Sequence, residues 1–263
     1  MAAPLTRHTV TDKHIQHYWE LGWVVVEGVY TPDETARIAE IAEDVGRREM
    51  STQAATPVTV DTGDDGRAAP RKVDWAFPKH PAFREFVLDE RLRAVVEAVL
   101  RHPPYLVRDQ IFLKPAGIGS SKPWHQDQPH LSCEPPDKVI GAWIALDDAA
   151  EDNGCLRYVS GSHRGPLLDH TPMPGAEHNA IPDPDQAKAV NWKAVTAAPV
   201  RAGGIALHHP YMLHGSPPNR SGRPRRAYST HWVTDDVTST GGYTLEWAYS
   251  QTVGAGRHAV KAP

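Results

Sequence analysis

The segment Trp124-His125-Gln126-Asp127 has residue types and a spacing that could support metal chemistry. In an extended strand, residues two apart point to the same side, so His125 and Asp127 can reach one ion. An imidazole and a carboxylate together suit a divalent first-row metal, and a second histidine would leave three coordination positions open. Among the 15 histidines of the chain, His125 alone has Asp or Glu two residues after it.

The third ligand must come from a distant strand, and the residues alone leave several histidines open. The downstream candidates are His163, His170, His178, His208, His209, His214, His231 and His258. His214 is favoured because Gly215-Ser216 follows it and a group of arginines lies shortly beyond. His208 and His209, on the strand before it, remain the alternatives.

The elements that must position these residues change in kind near Tyr105. Before this point, helix signals surround a short β-branched strand at 23–26. The predicted helices are 11–20, 31–48 with the capping box Thr31-Pro32-Asp33-Glu34, 81–87 and 90–100. After it, short strands alternate with Pro and Gly turns. The predicted strands are 105–113, 139–146, 155–159, 204–208 and 225–234.

This order predicts an α+β, mainly β chain built around an antiparallel barrel or jelly roll. We expect one domain over 1–263: a mostly helical part at 12–104, a core at 105–235 and a tail at 236–263. Residues 51–72 are polar and read as a mobile loop. The proline-rich stretch 165–199 reads as an irregular binding loop with a short helix near 184–190.

Composition excludes several classes of protein. Of the 263 residues, 40% are hydrophobic and 23% charged, which is typical of a globular chain. The net charge of −4 argues against nucleic acid or an anionic membrane as partner. Two cysteines, Cys133 and Cys155, cannot build a disulfide framework. Without a signal segment or a long apolar run, we expect a cytoplasmic monomer or homodimer acting on a small molecule.

Several motifs together resemble the phytanoyl-CoA dioxygenase family of Fe(II)- and 2-oxoglutarate-dependent oxygenases. The resemblance covers about residues 12–50 and 105–235. The motifs that carry it are Trp124-His125-Gln126-Asp127, Gly141-Ala142-Trp143-Ile144-Ala145-Leu146, Asn153-Gly154-Cys155-Leu156, Gly161-Ser162-His163, Leu213-His214-Gly215-Ser216 and Asn219-Arg220-Ser221 with Arg225.

The resemblance implies a double-stranded β-helix, which is a cupin-like jelly-roll barrel, with flanking N-terminal helices. It makes His125, Asp127 and His214 the ligands of Fe(II). It also makes Arg225 the partner of the distal carboxylate of 2-oxoglutarate, helped by the Ser216 hydroxyl. A guanidinium fork suits a carboxylate, although alternation alone does not decide whether Arg225 or Arg226 faces inward.

Two further residues are expected at the cosubstrate by the same resemblance. Trp143 matches an aromatic that lines the pocket, although a core tryptophan is a comparable reading. On the 105–113 strand, Gln110 and Arg108 share one face while Val107 and Asp109 share the other, so the contact there is ambiguous. The chain also departs from the family pattern at Gly203-Gly204, where the family often has Gly-Asp, and this departure affects a turn.

Asp127 also narrows the expected reaction. Related halogenases have Gly or Ala at the carboxylate position, so an aspartate favours hydroxylation or another C–H oxidation by O2. The Ala-, Arg- and Pro-rich composition fits a bacterial enzyme that tailors natural products. The substrate pocket is expected to be bordered by the loops and by Gln128, His130, Leu131, Tyr243, Trp247 and Tyr249. The alternatives are a zinc or manganese hydrolase on a similar barrel and a non-catalytic binding barrel.

Overall fold

The computed structural model describes residues 10–52, 60–172, 180–183 and 185–239. The α-helices in these ranges are α1 Asp12–Leu21, α2 Pro32–Thr52, α3 Pro81–Val87, α4 Glu90–Leu100 and α5 Gln128–Leu131. The strands are β1 Trp23–Val26, β2 Val60–Thr62, β3 Ala68–Pro70, β4 Lys72–Asp74, β5 Tyr105–Lys114, β6 Lys122–His125, β7 Cys133–Glu134, β8 Val139–Ala145, β9 Leu156–Val159, β10 His170–Pro172, β11 Ala180–Pro182, β12 Val195–Ala198, β13 Ile205–His208, β14 His214–Ser216, β15 Arg225–Val233 and β16 Thr238–Ser239. Short 3-10 turns occupy Pro136–Lys138, Ser162–Arg164, Gln186–Ala189 and Trp192–Ala194.

Two antiparallel sheets form the barrel. The major sheet has six strands in the order β1-β13-β8-β15-β5-β4, and the minor sheet has four in the order β12-β9-β14-β6. Apolar side chains of both sheets pack together between them, including Trp143 and Ala227 of the major sheet and Leu156 and Tyr158 of the minor sheet. This two-sheet arrangement is a jelly roll, and it confirms the predicted fold class.

The major sheet is buried on both faces because helices cover its outer side. Side chains that alternate along each strand, such as Ile111, Ile144 and Tyr228, pack outward in one cluster with Phe83 and Leu92 of α3 and α4. The intervening positions therefore face the barrel interior. This alternation decides which side chains of β5, β8, β13 and β15 can reach a ligand inside the barrel.

The N-terminal helices begin where the sequence predicts. The Thr31 hydroxyl accepts from the Glu34 N–H at 3.3 Å, and the Glu34 carboxylate accepts from the Thr31 N–H at 2.8 Å. This reciprocal pair confirms the capping box. Glu34 also accepts from Arg91 at 2.8 Å, which ties α2 to α4. Among the described residues, no helix is long and apolar enough to cross a bilayer.

Two segments are more regular than the sequence predicts. Within 51–72, residues 60–62 and 68–70 pair as a hairpin, and β4 starts at Lys72 and joins β5 of the major sheet. Within 165–199, β12 pairs with β9. The predictions of an irregular loop were wrong there because backbone pairing with a neighbouring strand overrides a polar or proline-rich composition.

The helical N-terminal part is also not separate from the barrel. β1 pairs with β13 and β4 pairs with β5, so two strands from before Tyr105 complete the major sheet. The division at residue 105 therefore marks a change in composition and does not separate two structural layers.

Candidate metal centre

Strand pairing brings the two predicted histidine ligands together. His125 at the end of β6 and His214 at the start of β14 are direct cross-strand partners, and their ring centres lie 4.2 Å apart. Asp127 follows β6, and its N–H donates to the Pro210 carbonyl at 2.9 Å. This bond anchors the turn before α5, so the Asp127 carboxylate faces both imidazoles.

The three side chains have a spacing that suits one ion. Oδ1 of Asp127 lies 3.6 Å from Nε2 of His125 and 3.8 Å from Nε2 of His214. Donors that each lie about 2.1 Å from one metal are roughly 3 to 4 Å apart. The structure therefore brings the three predicted side chains together, but Asp127 lies in a turn after β6 and not in the extended strand that the sequence analysis expected.

Backbone carbonyls determine which ring nitrogens are available. Nδ1 of His125 donates to the Pro123 carbonyl at 2.8 Å, and Nδ1 of His214 donates to the Met212 carbonyl at 2.9 Å. A carbonyl only accepts, so Nδ1 carries the proton and Nε2 keeps its lone pair. Burial lowers the pKa of His214 to about 4 and the pKa of His125 well below its usual value, so both rings are neutral at pH 7.

Asp127 is ionised. Burial alone would raise its pKa, but His214, His231 and His208 outweigh this effect and hold the pKa well below its usual range. Its second oxygen, Oδ2, lies 3.0 Å from Nε2 of His208 and 3.0 Å from Nε2 of His231. An ionised carboxylate only accepts hydrogen bonds, so both nitrogens are protonated and donate to Oδ2. A protonated nitrogen has no lone pair with which to bind a metal.

His208 and His209, the alternatives to His214, have other partners. His208 and His231 also form a compact group with Asp127, but as donors to it. His209 points away and contacts Asp137 at 3.1 Å. Reasoning from sequence missed the roles of His208 and His231, although their strand alternation places both on the interior face.

Arg225 lies inside the barrel and Arg226 outside. The Arg225 side chain is buried, its Cζ lies 5.3 Å from the Trp143 ring centre, and Nε and Nη1 have no hydrogen-bond partner among the described residues. Burial lowers its pKa to about 10, so it stays charged at neutral pH. Arg226 pairs instead with Asp147 at 2.6 Å and Glu43 at 3.1 Å.

A second buried basic side chain, Lys114, accompanies Arg225. The two residues are cross-strand partners on β5 and β15, and Lys114 Nζ donates to the Ser216 hydroxyl at 2.8 Å. Burial and then the charge of Arg225 lower the pKa of Lys114 to about 6. A buried guanidinium, an adjacent amine that a bound anion can protonate and a hydroxyl form a site that fits a carboxylate. The alternation 110, 112, 114 on β5 could have indicated Lys114.

Small side chains separate this cationic end from the metal centre. On the interior face of β15, Arg225 is followed by Ala227, Ser229 and His231. Ala227 lies beside Ala145, and Ser229 lies between Trp143 and Gln110. The register therefore places Trp143 and Gln110 level with Ser229 on the interior face, and Ser229 lies between Arg225 and His231 along β15.

Two of the residues expected to border the substrate pocket instead support the local structure of α5. The Gln128 amide donates to the Cys133 carbonyl at 2.7 Å, and Leu131 packs in an apolar cluster, so both support α5. His130 is exposed on the same helix. Tyr243, Trp247 and Tyr249 lie outside the described residues.

A jelly roll with a two-histidine, one-carboxylate set beside an internal arginine defines a class, the non-haem iron oxygenases that use 2-oxoglutarate. The chain belongs to the phytanoyl-CoA dioxygenase (PhyH) family, whose model matches residues 18–227. Phytanoyl-CoA dioxygenase domain-containing protein 1 of Mus musculus is 28% identical over 262 residues, which cover 84% of this chain and 89% of that protein.

Solved structures agree on the fold. The non-heme alpha ketoglutarate dependent carbocyclase SnoK from nogalamycin biosynthesis has a TM-score of 0.72 at 24% identity, covering 92% of this chain and 90% of its own. The epimerase SnoN in complex with Fe3+, alpha ketoglutarate and nogalamycin RO has a TM-score of 0.67 at 21% identity, covering 95% and 93%.

Proposed function

We propose that this protein is an Fe(II)- and 2-oxoglutarate-dependent dioxygenase that oxidises an unactivated C–H bond of a small organic molecule. One observation carries the proposal: the two Nε2 lone pairs and Oδ1 of Asp127 converge inside the same barrel that holds the buried guanidinium of Arg225. A hydrolytic zinc or manganese site has no need of that arginine.

Three side chains would hold the metal. His125, Asp127 and His214 supply two neutral nitrogens and one anionic oxygen, a set that suits Fe(II) and leaves positions for a keto acid and O2. Bound there, Fe(II) with 2-oxoglutarate and O2 supplies the oxidant for C–H oxidation. The protein contributes the geometry and keeps each imidazole in its Nδ1–H tautomer through the carbonyls of Pro123 and Met212.

Arg225, Ser216 and Lys114 would bind the distal carboxylate of 2-oxoglutarate. The guanidinium supplies a fork of donors, and Lys114 donates to Ser216 Oγ, which leaves the hydroxyl proton free to face the ligand. Trp143 and Gln110 flank the path from this carboxylate to the metal. Ala145 and Ala227 are fully buried beside this path, and charge interactions are stronger where burial lowers the local dielectric.

For the substrate, we propose a small natural product that the enzyme tailors. SnoK and SnoN act in nogalamycin biosynthesis and share this fold. The retained carboxylate Asp127 favours hydroxylation or a related oxidation over halogenation.

Anaerobic reconstitution tests the proposal. The protein should bind Fe(II), and adding 2-oxoglutarate should produce a weak visible charge-transfer band, which O2 then bleaches with formation of succinate. Arg225→Ala should raise the concentration of 2-oxoglutarate that is needed to form this band. If the wild-type protein forms no band, and Arg225→Ala changes none of its properties, the oxygenase assignment is wrong and the hydrolase is favoured.

A further inference from the structure

Oδ2 of Asp127 contacts side chains from neighbouring strands of the major sheet. We call His208, His231 and Gly141 together the cradle of this oxygen. His208 of β13 and His231 of β15 each lie directly opposite Gly141 of β8, one on either side. All three positions share the interior face of the major sheet. From this row, both imidazoles reach Oδ2 of Asp127 at 3.0 Å.

Gly141 provides the space in which the two rings converge. A Cβ at this position would overlap Nε2 of His208, the atom that donates to Asp127. The central position of the row must therefore lack a side chain. In a buried strand, where glycine is otherwise disfavoured, this close approach is a physical reason for its presence.

The tautomers of the cradle follow from its hydrogen bonds. With the proton of the neutral His208 ring on Nε2, Nδ1 is the acceptor and lies 3.2 Å from the Tyr158 hydroxyl, which then donates to it. Tyr158 is itself fixed by stacking on Trp23, with ring centres 4.9 Å apart. The order of donation is thus Tyr158 to His208 to Asp127. His231 adds the second donor from the opposite side.

We propose that His208 and His231 are positioning residues that hold Oδ2 of Asp127, so that Asp127 presents Oδ1 alone to the metal. A carboxylate can bind a metal through one oxygen or through two. Binding through two would take one of the three positions that a bidentate keto acid and O2 require. The cradle therefore keeps the coordination sphere open. This inference rests on the proposed metal site.

The experiment uses the full chain and Co(II), whose visible absorption reports both affinity and coordination. The test variants are His208→Phe and His231→Phe, which remove the donors, and His208→Gln and His231→Gln, which keep an N–H. The matched control is His209→Phe, because His209 is also buried and bound to an aspartate, but to Asp137. Thermal unfolding and circular dichroism establish that each variant is folded.

We expect the Phe variants to bind Co(II) about 10- to 100-fold more weakly, the range typical for loss of a partner of a metal ligand. Their Co(II) forms should show an altered spectrum and at least a tenfold weaker response to 2-oxoglutarate. The Gln variants should recover most of the affinity, and His209→Phe should bind Co(II) like the wild type. A general loss of stability would lower Co(II) affinity in His209→Phe as well, so this pattern distinguishes loss of the donors from destabilisation.

Gly141→Ala keeps the test decisive if a Phe variant does not fold. It removes no donor, but it should displace His208 and weaken Co(II) binding in the same direction. Wild-type affinity, spectrum and 2-oxoglutarate response in Gly141→Ala and in the folded Phe variants would overturn the cradle while leaving the metal site intact. A wild-type protein that binds neither Co(II) nor Fe(II) would instead overturn the proposed function itself.

Discussion

The guanidinium carbon of Arg225 lies 5.3 Å from the centre of the Trp143 ring, inside the barrel that also holds the metal-ligand candidates. Two of its nitrogens have no hydrogen-bond partner in the part of the chain that the structure describes. A buried cation in this condition is costly unless a ligand satisfies it. This relationship connects the arginine to cosubstrate binding and provides an internal control, since Arg226 is adjacent and faces outward.

Arg225→Ala should weaken 2-oxoglutarate binding roughly 10- to 100-fold, because hydrogen bonds to a charged group contribute about 1.5–3 kcal/mol. Titration of the Fe(II) protein by its charge-transfer band measures this affinity. The control Arg226→Ala loses its pairs with Asp147 and Glu43 and should change stability while 2-oxoglutarate affinity stays the same. Equal effects of the two substitutions on affinity would contradict the assignment.

Asp127→Ala should abolish succinate formation and leave a folded protein, because the site then has only two protein ligands. Loss of the carboxylate should also reduce Fe(II) affinity by more than tenfold. Equilibrium dialysis of the metal and a succinate assay measure the two effects. Asp137→Ala is the matched control, since this aspartate contacts a histidine outside the centre. Turnover retained in Asp127→Ala would remove Asp127 from the ligand set.

Binding of 2-oxoglutarate should take up a proton near neutral pH. In the free protein, burial and Arg225 lower the pKa of Lys114 to about 6, so its amine is mostly neutral at pH 7.5. An adjacent carboxylate favours the ammonium form and raises this pKa. Affinity should therefore fall as the pH rises above about 6, by at most about tenfold per pH unit.

Calorimetry in buffers of different ionisation enthalpy measures this proton uptake. Lys114→Met keeps the length of the side chain and removes the titrating group, so the linkage should disappear along with the bond to Ser216. Undiminished proton uptake in Lys114→Met would assign the linkage to another group.

The same lysine makes a prediction about stability. Its pKa is lower in the folded state than the ordinary value of 10.5, so the folded chain binds fewer protons than the unfolded chain between about pH 6 and 10.5. Without ligand, stability should therefore decrease as the pH falls through this window. Urea unfolding of the wild type and of Lys114→Met should show a shallower pH slope in the variant. A steeper slope in Lys114→Met would refute this sign.

Thr31→Ala should lower the free energy of unfolding by about 1 kcal/mol, because it removes one half of the capping box of α2. Urea denaturation measures the change. Thr52→Ala, at the exposed far end of the same helix, is the control and should have a smaller effect. Because alanine has the higher helix propensity, a loss as large in Thr52→Ala would contradict the cap as the cause of the effect at Thr31.

The local parts of this molecule were predictable from sequence because they depend on neighbouring residues. The capping box at Thr31 and Glu34 involves contacts three residues apart. Glu90–Leu100 is a helix with a regular apolar face. The pairing of His125 with Asp127 was predictable from their spacing of two residues, although a turn after β6, and not strand alternation, brings the two side chains together. Comparison with the family motifs added His214 and Arg225, which no local pattern alone would have selected.

The tertiary structure decided what depends on pairing between distant strands. It determined that His214 lies opposite His125, and that Arg225 rather than Arg226 faces inward. It also placed Lys114 beside Arg225, and His208 and His231 on either side of Gly141. Register between strands is set by the packing of two whole sheets, and a shift of one residue would reverse every side chain. The sequence by itself therefore determined the residue types of the candidate metal ligands, whereas only the packed barrel decided which side chains surround and support them.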